Sequence, residues 1–168
     1  MPDRDRDAQG RPQNARPRDR LGRPLPYGSE GAGALPEGLT LSPVEALDLA
    51  QVLLDDGRPF HAHEALETAW KSAPDDERAL WQGLAQLTVG LTHYLRGNLT
   101  GARAVVERAI SALDQYATQP PYDLDIGGLV TWGRSLLAGL DDPSPVVAPL
   151  HLRLSPLAGT HPAQNDVD

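Results

Sequence analysis

An all-α fold, a compact array of about five antiparallel helices, is predicted by three features of this sequence. Apolar residues recur at helical spacing in successive stretches, each stretch is bounded by recognisable start and stop signals, and no alternating segment of strand length occurs before Pro145. The first helix begins at Ser42-Pro43-Val44-Glu45. Serine can cap the first amides, proline suits the first helical position, and Glu45 can reach back to complete a capping box. Leu47, Ala50, Leu53 and Leu54 carry it to Gly57, a natural left-handed stop, so it spans about 43–56. A second helix runs from about Pro59 to Ser72 and is broken by Ala73-Pro74, because proline has no amide to continue it. Asp75-Asp76-Glu77 opens a third, placing negative charge at the positive end of the helix dipole. Leu80, Trp81, Leu84, Leu87, Leu91, Tyr94 and Leu95 then follow in helical period as far as Arg96-Gly97-Asn98. Thr100 is the expected cap of a fourth helix reaching Tyr116, and Asp125 that of a shorter, glycine-weakened fifth ending near Leu140. Short connections imply antiparallel neighbours.

Three regions are expected: a disordered tail over 1–40, a helical domain over 41–142, and an extended arm with a disordered C-terminus over 143–168. The tail is rich in Arg, Asp, Gly and Pro and poor in large apolar side chains, too poor to offset the entropy of ordering. In the arm, Leu150-His-Leu-Arg-Leu154 alternates between prolines. A lone strand has no sheet to join, so it should pack on the helices or on a second subunit.

Composition narrows the function. No cysteine is present, which excludes disulfides, zinc fingers and thiol catalysis; any divalent metal ion would have to sit among imidazoles and carboxylates. The formal net charge is -8, and seven of the fifteen basic residues (Arg4, Arg6, Arg11, Arg16, Arg18, Arg20 and Arg23) lie in the tail, so the helical part is strongly acidic. Such a surface repels phosphate backbones, and nucleic-acid binding by the folded part is not expected. The tail arginines could touch an anionic partner, although interleaved aspartates make solvation the simpler expectation. With no apolar run of membrane-spanning length and no secretory signal in Met-Pro-Asp-Arg-Asp-Arg, the protein is expected in the cytoplasm, away from membranes.

The second helix carries the chemistry. At about 100° per residue, Phe60, His63, Glu67 and Trp70 share a stripe of roughly 80°. His63 and Glu67 stand one turn apart, the spacing at which two side chains bond each other or hold one metal ion. Glu64 points about 100° away and His61 further still, which makes both poorer candidates for that site. On the third helix Gln82, Gln86 and His93 align within about 40°. Gln86 and His93 could therefore face His63 and Glu67 across a helix 2 to helix 3 interface. His63-Glu-x-x-Glu67 lacks the second histidine of the zinc-peptidase motif, and the third helix has no acidic residue after Glu77 to build a di-iron bundle.

At His63-Glu-Ala-Leu-Glu67-Thr-Ala-Trp70 the chain resembles the bacterial and archaeal domain of unknown function 309 family, whose signature is His, three residues, Glu, two residues, then Trp or Tyr. The resemblance continues through Trp81-Gln-Gly-Leu-Ala-Gln-Leu and Tyr94-Leu-Arg-Gly-Asn-Leu-Thr-Gly-Ala102 and covers roughly 42–117. It implies an all-helical fold and a suspected metal-binding role for His63 and Glu67, but no known reaction. A second likeness is to tetratricopeptide-type hairpins, since Gly90, Gly97, Ala102 and Ala109 fall near the small-residue positions of such repeats; only one repeat is visible.

Two readings follow. In one, the chain is an interaction or scaffold module, self-associating through its helices or C-terminal arm, and the His63/Glu67 pair is structural. In the other it is a small metal-dependent hydrolase, with His63 and Glu67 as ligands, His93 as third ligand or proton shuttle, and a metal-bound water as nucleophile. Trp70, Trp81 and Trp132 read as core anchors under either.

Overall fold

The computed structural model describes residues 16–142 and 147–153. Five α-helices follow one another: α1 (Pro43–Asp55), α2 (Pro59–Ser72), α3 (Arg78–Leu95), α4 (Leu99–Asp114) and α5 (Ile126–Gly139), with one 3-10 turn at Pro121–Asp123. Each packs chiefly on the helix before and the helix after it, most extensively at α3 and α4. No strand is formed among the described residues.

Local chemistry sets the boundaries. At α1 the capping box is complete: the Glu45 amide donates to Ser42 Oγ at 3.3 Å, and the Ser42 amide donates to Glu45 Oε2 at 2.8 Å. These bonds hold the exposed Glu45 carboxyl below its ordinary pKa. Gly57 closes the helix at φ 70°, and Ala73 turns extended ahead of Pro74 to end α2. The α4 cap departs from expectation. Asn98, not Thr100, accepts from the Gly101 amide at 3.0 Å, so Thr100 already lies inside the first turn. Glu77 does not cap α3 with its side chain; its carboxylate accepts from Trp81 Nε1 at 3.1 Å and from the Tyr122 hydroxyl at 2.8 and 2.9 Å. Burial first, then this bond, pushes the Tyr122 hydroxyl up to about 12.

The core runs along the stack. Trp81, Leu47, Leu66, Leu80, Leu84, Leu87, Leu113 and Leu129 are fully buried, whereas Trp70 and Trp132 are only partly covered. Small residues let α3 and α4 approach: a Cβ on Gly90 would stand 2.3 Å from Val106 Cγ2, and Ala102 and Ala109 are fully buried. The C-terminal arm folds back on its own helices. Leu150 and Leu152 are buried, Gln51 clamps both their backbones, and Arg153 reaches Asp48 at 2.8 Å. Leu154 lies outside the described residues.

The N-terminal segment departs furthest from expectation. Residues 1–15 of the expected tail lie outside the described residues, but 16–40 are placed against the helices. Asp19 organises a tight loop, its Oδ1 accepting from the Leu21 and Arg23 amides at 2.9 and 2.8 Å, with a bridge between Arg18 and Pro24. The loop then docks by polar contacts. Arg96 Nε donates to Leu21 O at 2.8 Å, Arg58 Nη2 donates to Gly33 O at 2.6 Å, and Arg20 pairs with Asp56. Gly22, at φ 73°, lies flat on Phe60, where any Cβ would stand 2.2 Å from the ring. An argument based on apolar content could not find this segment, because arginine stacking and backbone hydrogen bonds hold it in place.

Candidate functional site

Helix α2 buries Pro59, Ala62, Ala65, Leu66 and Ala69 toward its neighbours, and His61 beside them. The motif stripe therefore falls on a flank. Phe60, His63, Glu67 and Trp70 are all partly exposed, and the strap of residues 16–40 lies over the outer face of the helix. His63 Nε2 stands 3.3 Å from Glu67 Oε1, with side-chain exposures of 22% and 35%. Burial lowers the His63 pKa, and the Glu67 charge and hydrogen bond oppose that shift. Phe60 covers the imidazole with ring centroids 6.1 Å apart.

His93, one of the partners expected on α3, bonds elsewhere. His93 Nδ1 pairs with Asn98 Nδ2 at 3.1 Å, at the turn into α4, and Gln82 is exposed. Among the described residues no hydrogen bond joins Gln86 or His93 to the His63/Glu67 pair, and no group of three or more His, Cys, Asp or Glu side chains could hold a metal ion. His63 and Glu67 are thus brought together without a third ligand. Helical periodicity aligned Gln86 and His93 correctly along α3, but it could not fix how α3 turns relative to α2.

His61, set apart from the pair by its angle on the helix, is the more enclosed of the two α2 histidines. His61 is 2% exposed and meets the edge of Phe60. Burial lowers its pKa, with the Arg58 charge adding to the effect, while burial raises that of Glu64. Their signal lay in the tail arginines, which the strap carries over them. Between residues 35–40 of the strap and the outer row Glu64, Glu67, Thr68 and Lys71 runs an open groove of about 530 Å³.

Stacked helix hairpins carrying a His-x3-Glu-x2-Trp stripe on the second helix define a small all-helical domain of the kind expected from the signature. Residues 47–105 match the family model described as "Domain of unknown function (DUF309)", so the chain is similar to that family over this segment. The matched stretch takes in most of α1, all of α2 and α3, and the start of α4. The "Uncharacterized protein YpuF" of Bacillus subtilis (strain 168) is 34% identical over 79 residues, which is 46% of this chain and 45% of that protein. The chain therefore spans less than half the length of this curated relative. No solved structure gives a significant match. No helix among the described residues is long and apolar enough to cross a membrane.

Proposed function

We propose that the chain is a helical interaction module in which the His63/Glu67 pair is structural, holding the flank of α2 in shape beneath Phe60. The observation that carries this reading is the 3.3 Å contact between His63 Nε2 and Glu67 Oε1, while His93 is engaged by Asn98 at the far end of α3. A metal-dependent hydrolase would need a further ligand, and the described residues gather no third acidic or imidazole group. The interaction surface is the outer side of the hairpins, where the groove along Glu64, Glu67 and Lys71 opens beside the strap. Self-association, if it occurs, is better carried by the helices than by the arm, whose Leu150 and Leu152 are already buried within the chain.

Elemental analysis of untagged protein together with light scattering tests the reading. The expected result is no stoichiometric metal and a mass that responds to substitution on the outer face of α2. Stoichiometric zinc, manganese or iron that disappears in Glu67→Leu would replace this reading with the hydrolase.

A further inference from the structure

The strap roofs a cavity of about 200 Å³ over the first turns of α2, and His61 and Glu64 line its helical side. His61 is 2% exposed, yet its Nδ1 has no hydrogen-bond partner among the described residues. Buried ring nitrogens are seldom left so, and the cavity is the space from which this one can be reached. Burial also raises the pKa of Glu64, the mark of a carboxyl short of solvation. The roof, by contrast, is already engaged. Arg16 Cζ lies 4.9 Å from the Tyr27 ring centroid, and Arg18 stacks on Phe60 and donates to Gly22 O at 2.5 Å. The arginines shape the cavity, and the polar groups in need of a partner stand on the helix. Glu64 also borders the open groove beside residues 35–40, which gives the cavity an entrance.

We infer that this cavity binds a small uncharged polyol, one hydroxyl meeting His61 Nδ1 and a neighbouring hydroxyl donating to the Glu64 carboxylate. The two residues are three apart on α2, the spacing that sets side chains next to each other on one face, so adjacent hydroxyls of one molecule span them. Burial keeps the imidazole neutral, with its single proton on either nitrogen. A hydroxyl both donates and accepts, and therefore completes Nδ1 in either tautomer. Charges of both signs act on the pair: Arg58 and Arg18 on both residues, Asp19 on His61 and Glu67 on Glu64. Neither a cation nor an anion is favoured in such surroundings, and an anion would meet the Glu64 carboxylate directly. The volume is also far more than one bridging water needs.

Nitrogen NMR of the full chain, titrated with ribose and separately with erythritol, reads the His61 ring directly. Saturable movement of the His61 Nδ1 resonance is expected with at least one of the two polyols, while the His93 ring, bonded to Asn98, stays in place. Acetate and methylammonium at the same concentrations serve as charged probes and should not move it. Glu64→Leu and His61→Phe should each weaken polyol binding by about tenfold, equivalent to about 1.4 kcal/mol, as read by saturation transfer to the polyol. Circular dichroism reports whether each variant folds, and part-exposed Glu64 supplies the decisive variant should His61→Phe fail to do so. No saturable shift with either polyol would leave the cavity to water and overturn the inference. A larger response to acetate or methylammonium would overturn the uncharged class, and unchanged affinity in folded Glu64→Leu would overturn the two-point contact. Because the readout is small-molecule binding, a negative result leaves the interaction-module reading standing.

Discussion

The α1–α4 hairpins and the strap of residues 16–40 touch at α2 and at the ends of α1 and α3, yet different physics holds each in place. In the hairpins, leucines and alanines at helical spacing remove apolar surface from water, and tight caps set the ends. In the strap only Gly22 is buried, and order comes from an Asx-type turn, guanidiniums stacked on aromatic rings, and long-range donors to backbone carbonyls. A packed helix carries its instructions locally and periodically. A strap carries them as isolated residues whose partners lie far along the chain: Leu21 with Arg96, Gly33 with Arg58, Arg20 with Asp56. The family match covers the first kind of region and stops short of the second.

The sharpest test of this contrast is a cavity in the hairpin core. Leu66 is fully buried on α2, and Leu66→Ala should cost about 2–5 kcal/mol, since the surrounding helices can collapse only in part. Urea denaturation reads the change. A cost below about 1 kcal/mol would mean that the core is looser than its burial implies.

Removing the strap should cost less and leave the helices intact. A chain starting at Leu41 is expected to melt a few degrees lower with its helical circular dichroism retained, because it loses polar contacts and the cover over Phe60 but little apolar core. Gly22→Val should reproduce most of this loss, since its Cβ would enter the Phe60 ring and its backbone sits at positive φ. Limited proteolysis should then cut within the strap. An unchanged melting temperature in both variants would return residues 16–40 to the solvated tail that their composition predicts.

These two regions also mark how far the sequence could be read. The bounds of α2 at Pro59–Ser72 follow from Pro59 at one end and Ala73-Pro74 at the other, and Asp125 caps α5 as expected, its carboxylate accepting from the Gly128 amide at 2.9 Å. These signals act within four residues. The one-turn spacing of His63 and Glu67 was likewise local, and their contact forms. His93 beside Gln86 was a statement about two helices at once. Periodicity gives the face of each helix but not the rotation of one against the other, and among the described residues no hydrogen bond joins Gln86 or His93 to the pair. His61 stays apart from the His63/Glu67 contact as its angle implies, but the strap beside it could not be foreseen from α2 alone.

A turn between the hairpins gives a smaller, local effect. Gly97 adopts φ 78° between α3 and α4, its amide bonded to Tyr94 O at 2.9 Å. Gly97→Val should destabilise by about 1 kcal/mol or more, because a branched side chain opposes positive φ. Gly97→Asn should recover part of the loss, since asparagine tolerates the left-handed region. Equal stability of all three in thermal melts would place the strain elsewhere in the α3–α4 connection.

The smallest expected change belongs to the His63/Glu67 pair, and its size is what separates a structural role from metal binding. Both side chains are part-exposed, so water screens their attraction, and a pair of this kind contributes on the order of 0.2–1 kcal/mol. Glu67→Gln should cost a few tenths of a kcal/mol, because an amide oxygen still accepts from the imidazole; Glu67→Leu should cost more by stranding that ring beneath Phe60. The pH dependence has a definite sign. His61 and His63 both titrate in the folded chain below their ordinary value of 6.5, chiefly because burial disfavours the charged ring. A group whose folded pKa is depressed adds stability that is complete above its unfolded pKa and is lost as pH falls through the folded one. Thermal melts should therefore be flat above pH 6.5 for these groups and decline below it, and the decline should be steeper in Glu67→Leu, where no carboxylate favours a charged His63. A metal site would behave differently: chelator would lower the wild-type melting temperature at neutral pH, and both Glu67 variants would lose that sensitivity. Identical melts with and without chelator, combined with the acid-side decline, would keep the pair structural.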